Sequence, residues 1–174
     1  MKSTLKTGLI TGLIICGVFL AGFLVLMKCL STHYWNMPAD TIRGIVGLLA
    51  IPIQFIGIYI AMQNAKTASG TLTYGQALKT GVIVAITIAI VVSVFSFFYC
   101  TFNPHYAADM VQDAQKFMRA AHETEQQISI DSVKVAAEFT TGMQVTEALV
   151  GQFVTGTIMS LILGIFLKGK NSKK

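Results

Sequence analysis

The sequence predicts an all-α integral membrane protein of four transmembrane helices, with an amphipathic helical hairpin or bent helix between the third and fourth spans. Three observations predict it. Charged residues make up 12% of the 174 residues against 53% hydrophobic ones, and mean hydropathy is +0.65. Soluble domains carry about 25% charged residues, so this chain has too little polar surface to cover a globule in water. Four uncharged apolar runs have the length that a hydrocarbon core of about 30 Å demands, about 20 helical residues each. The charges are sorted between the segments that join these runs. The whole forms one membrane domain, 1–174.

The spans fall at 7–27, 44–62, 80–102 and 149–167. In lipid every backbone polar group must be satisfied internally, which leaves helices or closed barrels. Barrel strands alternate every second residue, and these runs do not. Lys2 and Lys6 ahead of the first run could belong to a signal peptide. That run exceeds the roughly 7–15 residues of a signal core and no small-residue cleavage site follows it, so a retained helix is expected.

The first span carries Gly8, Gly12, Gly17 and Ala21. In the second, Pro52 deletes a backbone donor and is expected to kink the helix. Gln54 beside it is the most conspicuous polar side chain at depth, expected to face a neighbouring helix or the freed carbonyl. Together they could shape a small cavity, although a locally satisfied kink is the plainer reading. Span three opens on Thr73-Tyr74-Gly75-Gln76, a capping-box pattern, and then shows Ala77, Gly81, Ala85, Ala89 and Ser93 at every fourth position. Span four repeats the device with Gly156, Ser160 and Gly164, preceded by Gln152 and Ala148. Small residues let membrane helices approach closely, so these stripes are read as packing faces within the chain, with a dimer seam as the alternative. Lys6-Thr7-Gly8 and Lys79-Thr80-Gly81 echo one another without establishing a duplication.

Between spans three and four, 103–147 is the one sizeable segment outside the bilayer. Asn103-Pro104 can start a helix. Ala107, Met110, Val111, Ala114, Phe117, Met118 and Ala121 form an apolar stripe at three-and-four spacing, and Met110, Val111, Ala114, Phe117 and Met118 are the candidate docking face. A break is expected near Gln127 to Asp131, with Asp131 or Ser129 as cap, and a second helix from Val133 to Glu147. Tyr34, Trp35, Tyr99, Phe102 and Tyr106 gather near the boundary on that side, as an aromatic belt does.

One side of the bilayer holds Lys2, Lys6, Lys66, Lys79, Lys168, Lys170, Lys173 and Lys174 and no acid. The other holds Lys28, Arg43, Lys116, Arg119, Lys134 and all eight acidic residues. Lysine and arginine excess marks the cytoplasm, which places both termini there and the 103–147 segment outside.

The chemistry-bearing residues point to no catalysis and no cofactor. No span carries an ionisable acid, lysine, arginine or histidine in its core, which argues against ion-coupled transport by the chain alone. No Walker loop, nucleophile elbow or H-E-x-x-H motif occurs. His105, Asp109 and Asp113 share a helical face, a pattern that is more often solvated surface than a metal site. Scattered basic residues with no interleaved aromatics speak against nucleic acid. Cys16, Cys29 and Cys100 lack metal spacing; Cys29 and Cys100, both at the outer boundary, could bridge, though two small buried residues is the plainer reading.

The opening Thr7-Gly8-Leu9-Ile10-Thr11-Gly12, the stretch Leu72-Thr73-Tyr74-Gly75-Gln76-Ala77-Leu78-Lys79-Thr80-Gly81, the amphipathic outer segment and the closing Gly156-Thr157-Ile158-Met159-Ser160-Leu161-Ile162 with its lysine tail together resemble domain-of-unknown-function family 4199. The resemblance covers nearly the whole chain and implies a small four-helix protein of the bacterial inner membrane. It lends no catalytic residue. The expected role is structural or interactive, an anchoring or assembly protein whose surroundings are the lipid bilayer and either a homo-oligomer or a membrane-protein partner. The alternative is an oligomeric small-solute channel or transporter component lined by span two.

Overall fold

A computed structural model describes residues 2–29 and 39–168, with side chains described from 2–22, 24 and 44–168. Six helices follow one another: α1 (Lys2–Cys29), α2 (Ala39–Ser69), α3 (Tyr74–Phe102), α4 (Tyr106–Ala120), α5 (Glu125–Glu138) and α6 (Thr141–Leu167). Helices α1, α2, α3 and α6 are long and apolar enough to cross a membrane. Helices α4 and α5 form the segment outside the spans.

All four spanning helices outrun the apolar runs that announce them, because local capping sets where a helix ends. Gly70, at φ +73°, follows the last residue of α2 in the left-handed conformation that glycine adopts without a Cβ clash. Helix α3 starts on the predicted capping box: the Gln76 N–H donates to Thr73 Oγ1 (3.3 Å) and the Thr73 N–H to Gln76 Oε1 (3.0 Å). Helix α6 begins at Thr141, capped by Thr140, so the second outer helix expected from Val133 to Glu147 is divided between the end of α5 and the start of α6.

The spans pack through the small-residue stripes. The most extensive contact among the described residues is α3 on α6, followed by α1 on α2 and α1 on α3. As α3 advances from Ala77 through Gly81 to Ala85, its neighbours on α6 recede from Gly164 through Ser160 to Gly156, the register of an antiparallel pair. A Cβ added at Gly81 would strike Ser160 and Met62, and one at Gly156 would strike Ala85 and Gln54. Ala85 and Ala89 are buried, and Ser160 donates to the Gly156 carbonyl (2.6 Å). Helix α1 uses Gly8 and Gly12 against Thr87 and Val91 of α3. The Gly8 and Gly81 echo therefore serves close approach twice, against different partners. Ile45, Leu48, Ile90, Ile162 and Phe166 point outward, as side chains facing lipid do.

The outer segment is a hairpin, and its break lies earlier than Gln127 to Asp131. Helix α4 ends at Ala120, His122 takes φ +61°, and Thr124 caps α5 by accepting from the Gln127 N–H. Ser129 and Asp131 lie inside α5. Asp131 accepts from Lys134 Nζ (2.7 Å) and Gln127 Nε2 (2.6 Å), bonds within one helix that remove its reason to cap one. These two donors hold its carboxyl below the usual carboxylate range. Gln115 of α4 donates to Ser132 of α5 (3.0 Å), and Arg119 pairs with Glu125 (3.5 Å) across the turn.

Candidate functional site

The half of the bundle that carries the hairpin encloses a cavity of about 450 Å³. Its walls come from Phe19 and Leu20 of α1, the first half of α2, the second half of α3 and the first half of α6, and Tyr106 of α4 lies at its rim. Phe19, Leu20, Ile51, Val92 and Phe95 make it apolar, while Gln54, Gln144, Gln152, Ser96 and Thr155 interrupt that surface.

Gln54 lies at its deep end, 1% exposed, and its Nε2 donates to the backbone carbonyl of Gln152 on α6 (2.8 Å). The amide thus crosses to a neighbouring helix, one of the two partners expected for it. Pro52 stays inside an unbroken α2, exposed on the outer face, and does not line the cavity. The pair expected to shape a cavity together is therefore split: two residues apart on a helix is about 200°, which sends the two side chains to opposite faces.

Gln144 is also buried, and its Nε2 donates to the Glu138 carbonyl (2.9 Å), tying the start of α6 to the end of α5. Each of these two amides thus gives one of its two N–H groups to a backbone carbonyl. Gln152 Oε1, by contrast, is a buried acceptor with no partner. Among the described residues of the lining, Glu147 is the charged one.

An aromatic chain closes the rim. Ring centroids are 6.0 Å apart from Phe95 to Tyr99, 5.5 Å from Tyr99 to Tyr106 and 5.8 Å from Tyr106 to Phe139, within the usual range for attractive pairs. It runs from α3 through α4 to the α5–α6 junction. Tyr99 and Tyr106, expected in an aromatic belt, thus serve as internal packing, while Phe102 points outward at 76% exposure. Tyr34 and Trp35 lie outside the described residues.

Three glycines, Gly44, Gly47 and Gly151, also border the cavity, and a Cβ on any of them would meet nothing within 4 Å. Gly47 shares a helical face with Gln54, two turns on. These glycines and Gln144 escape sequence reasoning, which places Gln152 only at the head of the span-four packing stripe. The signal that would find them is the polar and small face Gln144, Ala148, Gly151, Gln152 and Thr155 inside an otherwise apolar span.

The other expected features are placed elsewhere. Met110 packs in a small core with Phe139, flanked by Tyr106, Ala107 and Val135, and Val111, Ala114, Phe117 and Met118 are half-buried. The α4 stripe is thus largely taken up by the chain itself, which leaves Ile130 and Val133 of α5 as exposed apolar residues of the hairpin. No group of three or more His, Cys, Asp or Glu side chains comes together among the described residues, so His105, Asp109 and Asp113 do not converge. Cys100 is buried and borders the cavity, and the side chain of Cys29, with which a bridge was the alternative reading, lies outside the described residues.

Four apolar spanning helices with a helical hairpin between the third and fourth define a small multi-span helical membrane protein. The chain belongs to the family described as protein of unknown function DUF4199, whose model matches residues 6–169. No curated protein and no solved structure matches it.

Proposed function

We propose that the chain is a membrane-anchored interaction protein of the bacterial inner membrane. Its bundle holds the α4–α5 hairpin at the extracytoplasmic face, and it forms no channel by itself. The observation that supports this most is the seal below Gln54. Ile58, Met62, Val84, Ile88 and Ser160 are all 0% exposed, and the glycine stripes leave no gap between their helices. A closed interior suits a scaffold and leaves a single chain no conducting path. The orientation rests on the eight basic residues, without an acid, on the side of the termini. The surface offered to a protein partner is the exposed apolar face of α5 around Ile130 and Val133. The reading assigns the chain no catalytic step.

The test is the native mass of the protein extracted gently from its own membrane. A monomer, or a complex with a second protein that Val133→Lys dissociates, is expected. A discrete homo-oligomer whose solute flux in liposomes falls with Gln54→Leu would replace the scaffold reading with an oligomeric channel.

A further inference from the structure

We infer that the cavity between α2, α3 and α6 is a binding site for a polyhydroxylated ligand of about disaccharide size, entering from the side of the hairpin. This goes beyond the anchoring role and does not depend on it. The volume of about 450 Å³ falls within the roughly 300–1,000 Å³ of small-molecule sites. The hydroxyls of the spans select the ligand. Thr7, Thr11, Thr87, Thr101, Thr157 and Ser160 each donate to the carbonyl four residues back, the bond that satisfies a helical hydroxyl in apolar surroundings. Ser96 of α3 and Thr155 of α6 border the cavity and are half-buried. Among the described residues neither hydroxyl bonds to a protein group, and neither oxygen is sealed away from the open space beside it. A hydroxyl both donates and accepts, so each is matched by a ligand hydroxyl, which does the same.

The spacing of the two hydroxyls sets the size of the ligand. Gly156 packs on Ala85, so in the antiparallel register Thr155 is level with Ile86. Ser96 lies about ten residues further along α3, about 15 Å at the rise of an α-helix. A single hydroxyl group does not reach both ends of that interval, whereas two linked sugar rings do. Phe19, Phe95 and Tyr99 supply ring surface in the same walls, and their negative faces attract the polarised C–H groups of a sugar. The mouth is on the hairpin side, where the lining residues Gly44 and Glu147 are exposed. Ile58, Ile88 and Ser160 seal the far end, so the ligand leaves by the way it entered.

The test uses the full chain in nanodiscs and saturation-transfer NMR with maltose, trehalose, lactose, cellobiose and sucrose, and with octyl maltoside and octan-1-ol. Saturable binding of at least one sugar or of the glycoside is expected. Binding of a free sugar identifies a dissolved ligand, and binding of the glycoside alone identifies a glycolipid head group. Ser96→Ala and Thr155→Val break no hydrogen bond within the chain. Each should leave the unfolding midpoint unchanged and weaken the affinity about three- to tenfold. No saturable binding of any sugar or of the glycoside, the outcome for a cavity that holds water only, would overturn the inference. So would octan-1-ol binding as tightly as the glycoside, or an affinity unchanged in either variant. A loss of affinity that tracks a lowered midpoint would assign the hydroxyls to the fold and overturn it as well.

Discussion

At Gly156 an added Cβ would lie against the Cβ of Ala85 and the amide nitrogen of Gln54, while at Gly17 it would meet nothing within 4 Å. The two positions should therefore respond oppositely. Gly156→Leu forces α3 and α6 apart and is expected to destabilise the bundle by about 1–3 kcal/mol or more, read as a lower midpoint in detergent unfolding. Gly17→Ala fills no contact and relieves glycine's helix penalty, worth up to about 1 kcal/mol, so its midpoint should hold or rise. The packing glycines were legible in the sequence because they recur every fourth residue, and that spacing has a physical cause in the helix repeat. The cavity glycines were not. Gly47 and Gly151 lie on helices about a hundred residues apart, and only their folded juxtaposition shows that the space beside them stays open.

Helix ends obey local rules, and the hairpin tests them. Thr73→Ala removes half of a reciprocal cap at the start of α3 and should cost about 1 kcal/mol, seen as faster hydrogen exchange at the first amides of that helix. At the α4–α5 turn His122 holds φ +61°, which costs an L-residue about 1–2 kcal/mol. His122→Gly should therefore raise the unfolding midpoint of the hairpin, whereas His122→Val should lower it. Asp131 adds a pH dependence of known sign. Its carboxyl titrates below the usual range because Lys134 and Gln127 bind the charged form. The resulting stabilisation is complete above the ordinary carboxylate pKa of about 3.9 and fades as pH falls through the lowered value. Helicity of α5 should accordingly be flat at neutral pH and decline only in acid, and Asp131→Asn should erase that decline. The spans could be read from hydropathy because about 20 apolar residues leave few alternatives in lipid. The turn could not. Ser129 and Asp131 look like breakers, yet Asp131 is satisfied within its own helix, and a histidine in the left-handed region carries no warning in the sequence.

At the scale of the molecule, four spans enclose a sealed half and an open half. The sealed half is built from the α3–α6 stripe and the open half is roofed by the aromatic chain from Phe95 to Phe139. Tyr106→Ala should loosen the roof while leaving the sealed half unaffected. The expected outcome is a new rapid-exchange population confined to α4, α5 and the start of α6, with the protection of 81–89 unchanged. Exchange that spreads into the α3–α6 stripe would show that the two halves unfold together. The bond from Gln54 to Gln152 spans 98 positions of the chain, and that separation bears on biogenesis. Ribosomes add about 5–20 residues per second, so α2 waits about 5–20 s before α6 exists to receive its amide. During that interval the nascent three-helix intermediate carries a polar side chain with its partner still unmade. A chaperone or insertase that shelters amphiphilic spans would act on this intermediate. A ribosome-stalled chain ending before Thr141 should crosslink to such a factor through position 54, and Gln54→Leu should release it.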